Sequence, residues 1–223
     1  MHIVHTQNIS YYNQISGAYD AILDKDNSNQ TVRGRVADRF RKAVPKGAVL
    51  DFGGGTGRDL EWLTAHGYHV SFCEPSAGMR GQAISQQKGS SRNTVRFMSG
   101  KETDFTLWQK YPPFPYRVDG ILANFAVINC IPDIDLLFDN LARTLNPGGH
   151  LIALVLRPTW KQQLWSGISR RPVVMKVRYN DYIQRVYVHS RGALLRAAAR
   201  HFDLSCFESV DGSVFSLLDL TRK

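Results

Sequence analysis

The stretch Val49-Leu50-Asp51-Phe52-Gly53-Gly54-Gly55-Thr56-Gly57 decides the fold. An apolar segment runs into glycines at every second position, and a helical pattern begins directly after them at residue 58. A strand, a glycine loop and a helix in this order build a ligand site at the carboxyl end of a parallel sheet. Glycines let the backbone approach a ligand without a Cβ clash. The stretch therefore predicts an α/β protein that binds a ligand at this loop.

The glycine spacing separates the loop from two other ligand sites. A dinucleotide loop has the pattern G-x-G-x-x-G, and a phosphate-binding P-loop ends in Gly-Lys-Ser or Gly-Lys-Thr. Here the pattern is G-x-G-x-G, and Gly57-Arg58-Asp59 follows it. Taken alone, the loop leaves the identity of its ligand open.

The regions around the loop alternate between helical and strand-like patterns. Alternation of this length predicts right-handed crossovers and a parallel sheet covered on both faces, and the last two strands predict an antiparallel closing pair. A hairpin is predicted at 173–189 with its turn at Asn180-Asp181. We predict helices at 11–23, 32–43, 58–65, 76–87, 134–145, 158–165 and 192–201. We predict strands at 48–52, 68–73, 94–98, 118–124, 150–156, 203–208 and 213–220.

Length and composition predict one domain over residues 1–223. The chain is 43% hydrophobic, which suits one full-sized core. No apolar run approaches the roughly 20 residues of a membrane-spanning helix, and the N-terminus lacks the pattern of a secretory signal. The three cysteines have no metal-ligand or redox spacing. We therefore expect a cytoplasmic location, no membrane span and no metal site.

Positive charge is concentrated in residues 157–203. The chain has a formal net charge of +9. Residues 157–203 contain ten Lys or Arg against only Asp181 and Asp203. One interpretation is a solvated basic surface. The other is a basic rim that attracts an anionic substrate, a carrier or nucleic acid.

Several stretches together resemble the class I S-adenosylmethionine (SAM)-dependent methyltransferases, in particular the small-molecule enzymes related to ubiquinone and menaquinone methyltransferases. The resemblance rests on five parts of the chain: residues 49–57, the tyrosine segment Tyr11-Tyr12 to Tyr19-Asp20, Glu74 at the end of the second strand, residues 119–125 and residues 145–151. It implies a methyltransferase (EC 2.1.1) with a Rossmann-like seven-stranded mixed sheet of order 3-2-1-4-5-7-6. Strand 7 is antiparallel and helices cover both faces. It also implies a helical cap at 1–30 and a lid insertion at 157–190 after strand 5.

The resemblance assigns cofactor-binding roles to residues along the sheet edge. The glycine loop would pack against the methionine end and the ribose of SAM, and Asp51 would fix the loop or meet the ammonium group. Glu74 offers two acceptor oxygens to the ribose hydroxyls, although a surface acid at a strand end is the alternative. Met79 would lie against the adenine, or pack in the core. The residues expected at the cofactor are Tyr11, Tyr19, Asp51, Gly53, Gly54, Gly55, Gly57, Glu74, Pro75, Met79, Lys101, Glu102, Asn124 and Phe125.

Two positions depart from the family's pattern. Relatives place Gly-Asp after strand 3, whereas this chain has Gly100-Lys101-Glu102. Lys101 would contact the adenine through its backbone, and Glu102 would replace the acid. Many relatives also carry a histidine pair after strand 4, where this chain has Asn129. An amide cannot act as a general base, so base catalysis from that position is in doubt.

His189 is the remaining candidate for a general base, because a histidine titrates near neutrality. It lies at the end of the lid insertion, just before the next predicted helix, so we expect it at the mouth of the site, with a position on the rim or in the packing as the alternative. Tyr19 and Tyr187 are expected to act in catalysis and, together with Tyr11, to orient the acceptor. Trp160 and Trp165 are expected to anchor the lid, or to pack it against the sheet.

Three functions fit the sequence. The first is methyl transfer from SAM, which becomes S-adenosylhomocysteine (SAH), to a small, anionic or carrier-linked molecule. The second is an RNA or protein methyltransferase that uses the basic surface at 157–203. Asn124-Phe125-Ala126-Val127 lacks the Asn/Asp-Pro-Pro pattern of enzymes that methylate base amino groups. The third is an NAD(P)-type oxidoreductase or a non-catalytic SAM-binding protein.

Overall fold

The computed structural model describes residues 2–26, 28–87, 94–159 and 171–223, and for residues 2–5 it describes the backbone alone. Its helices are α1 (His2–Ile15), α2 (Tyr19–Leu23), α3 (Ser28–Ala43), α4 (Leu60–Ala65), α5 (Ala77–Gln86), α6 (Ile134–Thr144) and α7 (Arg191–Ala198). Its strands are β1 (Ala48–Phe52), β2 (His69–Cys73), β3 (Val95–Phe97), β4 (Val118–Ala123), β5 (Leu145–Leu156), β6 (Val173–Tyr179), β7 (Tyr182–Val188), β8 (Phe202–Ser209) and β9 (Phe215–Arg222). No helix in these described ranges is long and apolar enough to cross a membrane.

Seven strands form one mixed sheet in the order β3-β2-β1-β4-β5-β9-β8. The pairs from β3 to β5 are parallel, whereas β9 runs antiparallel to both β5 and β8. The strands β6 and β7 pair only with each other. When this hairpin is set aside, β8 and β9 are the sixth and seventh strands. The predicted fold class and strand order are therefore confirmed.

The central strands are buried on both faces, which explains their continuous apolar sequence. On β1, Leu50 packs in the cluster that contains Phe138 of α6, whereas Val49 packs in the opposite cluster with Phe40 of α3. Neighbouring strand residues point to opposite faces. One apolar strand can therefore anchor helices on both sides, and the loop after β1 is left at the carboxyl edge of the sheet.

The N-terminal segment forms two helices, so the predicted single helix at 11–23 is wrong in its bounds. The structure starts α1 at His2 and ends it at Ile15, and α2 begins at Tyr19. The break contains Gly17, and glycine is a weak helix former. The Ser16 hydroxyl donates to the Asn13 carbonyl at this point. The break lets α2 turn onto the glycine loop while α1 packs against β7 and α5.

The hairpin predicted after β5 is confirmed. Its turn residue Asn180 has a φ of +51°, a left-handed conformation that asparagine tolerates better than most residues. The predicted helix at 158–165, with Trp160 and Trp165, falls largely on residues 160–170, outside the described residues.

Candidate functional site

The glycine loop turns sharply at the carboxyl edge of the sheet. Gly53 has a φ of +73°, and its amide donates to the Cys73 carbonyl at 2.7 Å. A Cβ at Gly53 would come within 2.5 Å of the Val127 side chain. Gly57, also left-handed, packs against α5, where a Cβ would come within 2.8 Å of the Ala83 Cβ. Glycine at these two positions allows the turn and the close approach of neighbouring elements.

Glu74 directly follows β2, beneath this loop, and is 7% exposed. One carboxylate oxygen accepts from the Gly55 amide at 3.0 Å, and the other accepts from the Ser76 amide at 2.7 Å. Burial raises the pKa of Glu74 to about 7, although both backbone hydrogen bonds oppose the rise. A carboxylate has about four lone-pair positions. Glu74 therefore keeps two for a ligand after it has fixed the loop.

Asp51 is a second buried acid at the loop. Its Oδ2 has no hydrogen-bond partner in the part of the chain that the structure describes. The same atom lies below Gly54, where an added Cβ would come within 2.6 Å of it. Burial, and then the nearby Asp59 carboxylate, raise the pKa of Asp51 well above its usual range. A cationic group of a ligand would offset this cost.

A polar network supports the opposite wall of the site. The Asp59 Oδ2 accepts from Arg33 at 2.5 Å and from the Asn124 side-chain amide at 3.0 Å. The Arg33 guanidinium lies 4.5 Å from the centre of the Phe125 ring, within cation–π range. Phe125 has a φ of +51°, which is strained for an aromatic residue. The network thus fixes the chain where it leaves β4.

The helix α2 closes over the glycine loop through side chains of both. The Thr56 hydroxyl donates to the Asp20 carboxylate at 2.6 Å. Arg58 pairs with Asp24 at 2.6 Å. Tyr19 reaches the loop, and its ring would lie 3.9 Å from a Cβ on Gly55. The N-terminal segment is therefore a wall of the site.

These elements enclose a cavity of about 1020 Å³, counting the part open to solvent. Ten residues expected at the cofactor line it: Tyr19, Asp51, Gly53, Gly54, Gly55, Glu74, Pro75, Met79, Asn124 and Phe125.

Tyr11 and Gly57 were expected at the cofactor and lie outside this lining. Tyr11 packs with Ile15 and Met79 and borders a neighbouring cavity. Its neighbour Tyr12 faces the cavity instead. The position of each tyrosine around the axis of α1 determines which cavity it faces. Asn8 and Tyr12, four residues apart, share one face of α1, and this spacing is the signal that sequence reasoning missed.

Lys101 and Glu102, which were expected at the adenine, also lie outside the cavity lining. The Glu102 carboxylate accepts from the Ser99 amide at 3.2 Å and pairs with Arg96. This capping interaction turns the acid away from the cavity. The Lys101 ammonium lies 5.3 Å from the Tyr111 ring centre. The lining at this position comes from Thr103 and Phe105.

The structure does not bring His189 to the mouth of the site. Its side chain is only 2% exposed, and its Nε2 lies 3.0 Å from the Ile131 carbonyl. Burial lowers the pKa of His189. Tyr187 is buried as well, and its backbone carbonyl accepts from the Asn129 side-chain amide at 2.8 Å. These two hydrogen bonds hold the end of β7 against the segment that follows β4, so that Tyr187 and His189 are buried.

Tyr12, Cys130 and Gln184 form a polar cluster that sequence reasoning missed. The Gln184 Nε2 donates to the Tyr12 hydroxyl at 2.6 Å, and the Cys130 sulfur lies 3.5 Å from each of these atoms. Burial raises the pKa of Tyr12 and of Cys130. The cluster joins three elements that are distant in sequence, so no local pattern could have indicated it.

Comparison with known families gives one match that covers most of the chain. A family model described as a methyltransferase domain matches residues 26–207. No curated protein sequence matches the chain.

Solved structures with bound SAM or SAH share the fold. The DhpI–SAH complex superposes with a TM-score of 0.74 at 18% identity, over 100% of this chain and 98% of that one. SAM-bound CalS10, an amino pentose methyltransferase from Micromonospora echinaspora, gives a TM-score of 0.65 at 20% identity, over 92% and 97%. The glycopeptide N-methyltransferase MtfA with SAH gives a TM-score of 0.63 at 15% identity, over 84% and 88%. At these identities the similarity shows the fold.

Proposed function

The chain belongs to the methyltransferase domain family, and from this premise we propose that it transfers the methyl group of SAM to a small molecule. Bound SAM supplies a methyl carbon activated by the neighbouring sulfonium. The acceptor's lone pair would form a bond to that carbon while the carbon–sulfur bond breaks and its electron pair goes to sulfur. SAH would then leave, and a hydroxyl or amino acceptor would release its proton to water. The chain's part is to bind, orient and desolvate the reactants. In this proposal residues 1–30 are the cap of the site and residues 157–190 its lid.

The observation that carries the proposal is the position of Glu74. Two of its acceptor positions hold the backbone at Gly55 and Ser76, and two remain beside the cavity. A pair of vicinal hydroxyls matches a carboxylate with two free acceptor positions. The ribose of SAM carries such a pair, so Glu74 would hold the ribose while the glycine loop lies along the rest of the molecule.

Asp51 fits the charged end of the same molecule. Its buried Oδ2 has no partner among the described residues, and it borders the cavity. An unpaired buried carboxylate costs free energy that a cation offsets. SAM carries an ammonium and a sulfonium group, so Asp51 would compensate its positive charge, directly or through the loop.

The acceptor is proposed to be anionic or linked to an acidic carrier, because one face of the β6–β7 hairpin is cationic. Lys176 lies directly opposite Arg185, and Arg178 shares their face. Like charges placed opposite each other destabilise a strand pair. No ion pair of these three side chains occurs within the described ranges. Between residues 157 and 202, Asp181 is the single acid in the sequence.

Calorimetric titration separates the proposed donor from a nicotinamide cofactor. SAM and SAH are expected to bind the protein with a 1:1 stoichiometry, and NADPH to give no heat of binding under the same conditions. Binding of NADPH without binding of SAM would indicate the oxidoreductase. Nucleic-acid binding that weakens steeply with salt, together with SAM binding, would favour an RNA methyltransferase.

A further inference from the structure

A second cavity adjoins the first, between the N-terminal helices and β7. It measures about 640 Å³, counting the part open to solvent. Tyr12, Tyr19, Phe125 and Cys130 border both cavities. These four residues therefore surround the place where a molecule in the second cavity would meet a donor in the first.

The two cavities differ in charge. The first is bordered by Asp51, Asp59, Glu74, Arg33 and Arg58. Among the described residues, those that line the second include no Asp, Glu, Lys, Arg or His. Burying apolar surface is favourable, whereas burying an unpaired charge is costly. The second cavity therefore favours an uncharged, largely apolar group. The rest of its lining is Tyr11, Ile15, Ile22, Ala126, Leu156, Gln184 and Val186.

Tyr12 stands at the boundary of the two cavities, and Gln184 lies beside it in the second. The Tyr12 hydroxyl accepts from the Gln184 side-chain amide and lies 3.5 Å from the Cys130 sulfur, a weak acceptor that an oxygen or nitrogen of a ligand would replace. The Gln184 Oε1 receives no hydrogen bond from the described residues. Tyr12 and Gln184 thus offer one donor and one acceptor side by side. A hydroxyl or an amino group, which both donates and accepts, is complementary to that pair.

We propose that the second cavity holds the reacting part of the methyl acceptor, an uncharged apolar or aromatic unit whose hydroxyl or amino group is hydrogen-bonded by Tyr12 and Gln184. The inference rests on the proposed function of the first cavity. It refines the acceptor's chemistry: the reacting end is neutral, and any anionic part or carrier lies outside the cavity, toward the cationic face of the hairpin. Two ends of different polarity would orient the acceptor.

A matched pair of probes tests this inference on the protein saturated with SAH. The probes are benzyl alcohol and benzylammonium, which have similar shapes and differ in the charge of the group that would meet Tyr12 and Gln184. Calorimetry or ligand-observed NMR is expected to show at least tenfold tighter binding of the neutral alcohol. Equal affinities, tighter binding of the ammonium, or no binding of either probe would overturn the inference.

A variant of Gln184 locates the probe. Gln184 borders the second cavity and not the first. Gln184→Leu is expected to weaken binding of benzyl alcohol about tenfold and to leave the affinity for SAH unchanged. Gln7→Leu, at an exposed position of α1, is the control and should change neither. Unchanged probe binding in Gln184→Leu would contradict the inference, whereas failure of the parent protein to bind SAH would instead refute the proposed function.

Discussion

Glu74 combines a structural and a ligand-binding role in one buried side chain. Its carboxylate holds the backbone on both sides of the site, at Gly55 and Ser76. Because the same oxygens would accept from the ribose, a substitution at Glu74 should weaken SAM binding more than it destabilises the hydrophobic core. The carboxyl end of β2 is thus the position where substitution is most informative.

Replacing Glu74 by alanine is expected to weaken SAM binding at least tenfold. Hydrogen bonds to a charged group contribute about 1.5–3 kcal/mol each, and a tenfold change corresponds to about 1.4 kcal/mol. Calorimetry with SAM measures the effect. The matched control is Glu208→Ala, an exposed acid on the edge strand β8, which should leave the affinity unchanged. An equal affinity in both variants would remove Glu74 from the donor site.

The raised pKa of Glu74 predicts a pH dependence with a definite sign. Between its ordinary value of 4.5 and about 7, the native protein holds a proton that the unfolded chain has released. The free energy of unfolding of the ligand-free protein therefore receives a contribution that falls as pH rises across this window. The ionised carboxylate is the better acceptor for two hydroxyls, so SAM affinity should rise between pH 6 and pH 8.

The comparison that isolates this effect is the ratio of SAM affinities at pH 8 and pH 6 in the parent protein and in Glu74→Ala. The ratio is expected to be smaller in the variant, because other titrating groups remain in both proteins. An identical ratio would mean that a different group sets the pH dependence.

At the scale of elements, α1 spans both cavities and is held at two points. Asn8 donates to the carbonyls of Cys130 and Arg185 and accepts from the Arg185 amide at 2.8 Å. Asn13 accepts from the Ser76 hydroxyl and the Gly78 amide at the start of α5. These contacts tie the helix to β7 on one side and to the donor site on the other.

Asn8→Ala is expected to loosen α1 and lower the melting temperature. The substitution leaves the Arg185 amide without this partner, and an unsatisfied buried group costs about 1–3 kcal/mol. Hydrogen exchange of the α1 amides should become faster in the variant. Gln7→Ala, at the exposed neighbouring position, is the control. Unchanged exchange in Asn8→Ala would show that Asn8 does not hold the helix.

Local patterns predicted the sheet and part of the site. The strand β1, the turn of the glycine loop after it and the hairpin turn at Asn180 depend on neighbours in sequence, and the structure confirms each of them. The orientation of α1 was not, because choosing Tyr12 over Tyr11 requires knowing which face of the helix meets the sheet. His189 depends on a hydrogen bond to Ile131, 58 positions away. Such distant contacts leave no local signal.

At the scale of the whole molecule, basic side chains differ in whether they form an ion pair with an acid. Several basic residues outside the hairpin pair with acids, as Arg39 does with the fully buried Asp219 at 2.6 Å. Lys176, Arg178 and Arg185 on the hairpin face form no ion pair among the described residues. Asp181 in the turn is the one acid near them in sequence. Charge without a partner on an exposed face attracts anions over distances up to about 10 Å at ordinary salt.

Lys176→Glu is therefore expected to lower the salt concentration at which the protein elutes from a polyanion column. Lys46→Glu makes the same change in net charge at an exposed position before β1 and should lower it less. Equal shifts in the two variants would show that net charge, and not the hairpin face, governs anion binding.

The central claim is that the cavity at the glycine loop binds SAM with its ribose on Glu74. A crystal structure of the protein with SAH tests it most directly. The expected result is both ribose hydroxyls within hydrogen-bond distance of the Glu74 carboxylate, with the sulfur near the boundary formed by Tyr12, Tyr19, Phe125 and Cys130. SAH bound elsewhere, or with its ribose away from Glu74, would contradict the account.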